Sequence, residues 1–278
     1  MLSTLQVNKL TTAQLNALKT EQLTQLNSLQ ISALTTGQLV NLASDSLKNL
    51  TTAQVANLSS DQINGLTTTQ FSLLMSQQAQ GLTSSQFASL SQAKLDSLST
   101  DIISGLGSTQ LKWLTASQIT NLTTDQAKAL TSDQLSAFTT AQMVAFSTDA
   151  LNTFSADEIS KLASNQVASL TTPQLSKLTT DLLTAMTSDQ VSKLTTAQLN
   201  NLTSDQLSVL TTDQTAGLTT TQLALITPAN LAYLSNDVVT HLSTNQLVSL
   251  TAAQVTGLTS DQASALTSDQ IVKMTTAQ

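Results

Sequence analysis

From Leu2 onward an apolar residue returns at every eighth position, through Leu10 and Leu18 to Leu266 and Met274, thirty-five times without an insertion or deletion. Most are Leu; the others are Phe138, Phe146, Phe154, Met186, Ile226 and Met274. Five residues after each leading residue stands a second apolar side chain, with Thr215 the one exception. Counting each octad from its leading residue, the consensus is L-T-T-x-Q-L-x-x, as in LTTAQLNA from Leu10 and LTSDQLSV from Leu202. A continuous α-helix turns about 100° per residue, so eight residues overshoot two turns by about 80° and the apolar stripe would wander. A strand would send positions 1 and 6 to opposite faces. Neither regular element suits this period.

A very short helix in each octad does suit it. Position 2 is Ser or Thr in 29 of 35 octads, which places an N-cap there. Position 5 is Gln in 27 of 35, three residues on, where its side chain can reach back to the N–H of the cap residue. The apolar residues at positions 1 and 6 then occupy the two sites of a hydrophobic staple. Rarer residues obey the same register. Fifteen of seventeen acids lie at position 4, in the positive first turn, and eight of ten Lys lie at positions 7 or 8, at the negative end. Pro228 and Pro173 sit at positions 3 and 4, where no donor is needed. Five of seven glycines fall at position 8, read as the helix terminus.

The pattern therefore predicts an all-α solenoid, a superhelix of very short helices with one per octad. It covers residues 1–278 as a single array of about 34 repeats from Leu2. Helices this short do not persist alone in water, so octads must stack. Positions 1 and 6 should form a narrow apolar interior, and positions 3, 4 and 7 a Thr/Ser/Asp skin. As a partly exposed cap, Gln198 should cost under about 1.5 kcal/mol when truncated to Ala. Leu194 in the core should cost about 2–5 kcal/mol. Irregularities recur ten octads apart. Position 5 departs from Gln at Ile102, Ala150 and Glu158, and again at Leu182, Asn230 and Val238. A ten-octad duplication relating 101–170 to 181–250 would explain this.

Composition narrows the function classes. Charged residues make up 10% of the chain and aromatics 3%, with no Cys and a net charge of −7, so a nucleic-acid backbone is a poor partner. No apolar run exceeds four residues, which argues against membrane insertion. The single His, His241, stands at a variable position with no convergent partner in the sequence. The acids come one per octad except for Asp157 and Glu158, without the clustered oxygens of a calcium loop. No nucleophile elbow or phosphate loop is present. The expectation is no enzyme, no metal and no cofactor. Trp113 and Tyr233, both at position 8, are the candidate surface-contact residues. The run of Phe138, Phe146 and Phe154 reads as a wider stretch of core.

The tracts LTTAQLNALKTEQLTQL from Leu10 and LTSDQLSVLTTDQTAGLTTTQ from Leu202 resemble the L-T-T-x-Q-[LIV]-x-x octads of very large bacterial secreted or cell-surface proteins. Those proteins are often labelled adhesin-like or associated with haem utilisation. The resemblance spans the chain and implies export and a spacer or adhesive role, with other proteins or surface glycans as partners. It implies no haem site, since the one His offers no ligating cluster. The chain stops at Gln278, five residues into an octad, as a segment of a longer protein would. A structural stalk or adhesin segment is the leading expectation. A protein-binding scaffold is the alternative, followed by an ice- or carbohydrate-binding Thr surface.

Overall fold

A computed structural model describes residues 2–74 and 76–278. Among them are 34 α-helices, from Thr4–Lys9 to Ser268–Lys273, and no strand. The fold is an all-α solenoid, with one helix of four to six residues per octad. The chain divides into two compact units, one reaching Phe138 and one running from Thr139 to Gln278.

In both units the octad is built as its sequence dictates. In the octad from Leu194, helix Thr196–Asn200 is capped by Thr195, whose side chain accepts the Gln198 N–H at 3.2 Å. Gln198 Oε1 in turn accepts the Thr195 N–H at 2.7 Å, closing the capping box. The bend between helices is made by two extended residues. Leu66 ends one helix at φ −57°, ψ 150°, and Thr67 caps the next at φ −68°, ψ 159°. No described residue has positive φ. An extended pair after one and a half helical turns redirects the chain without glycine.

The bend returns the chain onto itself. In the first unit Gln54 donates Nε2 to the carbonyls of Leu23 and Leu26, 31 and 28 residues earlier, at 2.9 and 3.0 Å. In the second unit Gln206 repeats this with Leu175 and Leu178, at 2.9 and 2.8 Å. Helix pairs three octads apart pack together, such as Ser188–Ser192 with Thr212–Ala216, so about three and a half octads complete a coil. Positions 1 and 6 fill the interior of each unit; Leu194 and Leu199 are both buried.

Two expectations are corrected here. Position 5 is part of the interior rather than a partly exposed cap: Gln198 is 6% exposed and donates Nε2 to the carbonyls of Leu170 and Ala168, at 2.7 and 3.0 Å. Its amide joins two coils as well as capping its own helix. The position-8 glycines do not terminate helices by left-handed backbone. Gly217 keeps helical angles, and a Cβ there would lie 2.8 Å from the Ser188 carbonyl oxygen of the preceding coil. Coil-to-coil closeness explains that glycine.

Candidate functional site

The surface of each octad carries positions 3, 4 and 7, mostly Thr, Ser, Ala and Asp. All the acids but Asp96 stay at first turns, as with Asp125 and Asp205, where the helix dipole favours them. Among the described residues, no group of three or more His, Asp or Glu side chains could hold a metal. No described helix is long and apolar enough to cross a membrane.

The two candidate contact residues fall in different environments. Trp113 is half-buried, its ring tilted 57° against core Phe87 at a centroid distance of 6.5 Å. It extends the core outward. Tyr233 is 49% exposed, and Leu225, at position 8 of the preceding octad, is 56% exposed. Trp113 belongs to the first unit and Tyr233 to the second. His241 ends helix Asn236–Thr240, with Nδ1 2.7 Å from the Asp237 carbonyl oxygen, a local C-terminal contact. The Phe146 and Phe154 rings meet edge to face at 5.5 Å inside the second unit.

Among the described residues, one ionisable side chain is buried. Lys94 takes the place of Gln at position 5, and its ammonium donates to the Leu66 carbonyl, 28 residues earlier, as a Gln amide would. Burial pulls its pKa below the ordinary Lys value. Sequence reading placed no weight on Lys94, although it is the one basic residue at position 5. A shallow hollow in the second unit gathers Thr184, Thr187, Ser188, Thr211 and Asp213 beside Gln214. Its hydroxyls and single carboxylate form no nucleophile–base pair with a His.

Known sequences locate the same repeat. A family model described as the ALTTAQ repeat matches residues 7–44, 39–76, 103–140, 192–220 and 239–276, more than half of the chain. No curated protein matches. The unmatched stretches between these segments, 77–102, 141–191 and 221–238, contain seven of the eight position-5 residues that are not Gln. Only Ser46 falls within a matched segment. The family signal therefore weakens where the coil-joining residue changes.

Proposed function

The chain belongs to the ALTTAQ repeat family, and from that premise we propose that it is a non-enzymatic stalk or adhesin segment of a bacterial secreted or cell-surface protein. One observation carries this reading: the most versatile polar group of most octads, the position-5 amide, is turned inward from Gln30 onward. Gln206 and Gln246 each use both ends of the amide to hold backbone, at their own cap and at the coil before. What remains outside is short and variable, suited to spacing or to broad, weak contact rather than to a reaction.

Labelling of intact producing cells with antibody against the chain tests the setting. Surface label without permeabilisation is expected; label seen only after permeabilisation would sink the proposal. A protein-docking scaffold is favoured by one feature, the exposed Leu225 and Tyr233. On that reading, Tyr233→Ala with Leu225→Ser would abolish partner binding while leaving the helical signal intact.

A further inference from the structure

Eight octads lack Gln at position 5, and in all of them but that of Glu158, which still accepts the Ser155 N–H at 2.7 Å, the cap N–H loses its usual acceptor. Five asparagines stand at position 7: Asn8, Asn16, Asn64, Asn152 and Asn200. Four of these five precede, always at the same sequence separation, a position 5 that is not Gln: Asn16 before Ser46, Asn64 before Lys94, Asn152 before Leu182 and Asn200 before Asn230. In each case the Asn spans the gap between coils. Asn16 Oδ1 accepts the Ala43 N–H at 2.7 Å, and Asn64 Oδ1 accepts the Ser91 N–H at 3.0 Å. Asn152 does the same for Thr179 at 3.1 Å, and Asn200 for Thr227 at 2.9 Å. Each Nδ2 donates to the carbonyl two residues before that cap: Asn41, Ser89, Lys177 and Leu225, at 2.8–2.9 Å.

The fifth asparagine is an internal control. Asn8 stands at that same separation before Gln38, and its Nδ2 makes the same donor bond, to Ala33 O at 3.0 Å. Yet the Thr35 N–H goes to Gln38 Oε1 at 2.7 Å. Gln80, also at position 7, behaves alike: it donates to the Gly105 carbonyl, while the Gly107 N–H goes to Gln110. The position-7 amide accepts the cap N–H in those octads where position 5 has no side chain to do so.

We infer that position-7 Asn is a second coil-joining device, in which the preceding coil supplies the cap acceptor that a missing Gln would have given. It acts forward across the interface that Gln spans backward, and it frees position 5 to carry another side chain, including the buried ammonium of Lys94. The two devices are alternatives, so the position-7 and position-5 residues of each such pair must be energetically coupled.

Amide hydrogen exchange in the full chain tests this at the Ser91 N–H. Asn64→Ala should speed its exchange about tenfold, the effect of losing one hydrogen bond. After Lys94→Gln supplies a local acceptor, the same Asn64→Ala change should speed it less than about threefold. Asn152→Ala read at the Thr179 N–H, with and without Leu182→Gln, repeats the comparison in the second unit if either Asn64 variant fails to fold. Asn8→Ala should leave the Thr35 N–H unchanged. Equal acceleration in both backgrounds, or none in either, would overturn the inference.

Discussion

At the residue scale, the informative choice is Gln over Glu. A capping box accepts either, and the dipole at a helix N-terminus favours the acid. Yet this chain uses Gln at 27 position-5 sites and Glu only at Glu158. A carboxylate can cap but cannot donate, and the structure shows what the donor is for: Gln198 Nε2 serves two carbonyls of the coil before. Removing it strands buried backbone groups on both sides. Gln198→Ala should therefore cost about 2–4 kcal/mol, comparable to the 2–5 of Leu194→Ala, in urea unfolding. A cost below about 1 kcal/mol would return Gln198 to the role of a simple cap. Lys94 allows a pH test. Its folded-state pKa lies below the ordinary value of 10.5, so in the window between the two the unfolded chain binds more protons. Stability should then rise with pH as the folded-state ammonium deprotonates, levelling off near the unfolded value. The rise should vanish in Lys94→Gln, which should also be the more stable protein at neutral pH. Identical pH profiles for the two proteins would show that burial does not disfavour the charge.

At the element scale, nearly everything was legible because nearly everything is local. Cap, first-turn acid, N3 Gln and staple are all set within one octad, and helix Ser204–Ser208 with Thr203 as its cap sits where LTSDQLSV places it. The coil length was not legible from the consensus. The acceptors of Gln Nε2 are backbone carbonyls, which every residue type supplies equally, so a uniform octad leaves no trace of its partner. The trace survives where the consensus fails, in pairs such as Asn64 with Lys94 and Asn152 with Leu182, whose constant spacing encodes the coil. Position-8 glycines were misread for a related reason: helix termini are where left-handed glycines gather, and the competing cause lay one coil away. Two substitutions separate these causes. Gly37, inside helix Thr36–Val40, would bring an added Cβ no nearer than 3.9 Å to a neighbour, the Thr35 hydroxyl, so Gly37→Ala should stabilise by about 0.5–1 kcal/mol. At Gly81 the added Cβ would meet the Thr52 carbonyl oxygen at 2.8 Å, so Gly81→Ala should destabilise. Thermal unfolding of the pair reads both signs.

At the scale of the whole chain, the same reasoning says which octads are interchangeable. Where every octad carries Gln, deleting one leaves each remaining Gln facing equivalent carbonyls, because position 5 still looks back upon positions 6 and 1. Removing residues 50–57, after which Gln62, Gln70, Gln78 and Gln86 are the position-5 residues that look back across the gap, should then preserve a cooperative transition. Deleting residues 66–73 removes a stretch of equal length but shortens the spacing of Asn64 and Lys94. The Ser91 N–H loses Asn64, while Leu58 takes the place of Leu66 opposite the ammonium. That deletion should cost about 1–3 kcal/mol more than the first, the effect of one or two buried polar groups left unpaired. Restoring Gln at position 94 within the shortened chain should recover most of the difference, since Gln needs no particular side chain in the coil before it. Equal stability of the two deletions in urea would mean that coil-to-coil recognition rests on the apolar interior alone. A repeat array can thus look uniform and still carry an address, written only where an octad gives up its glutamine.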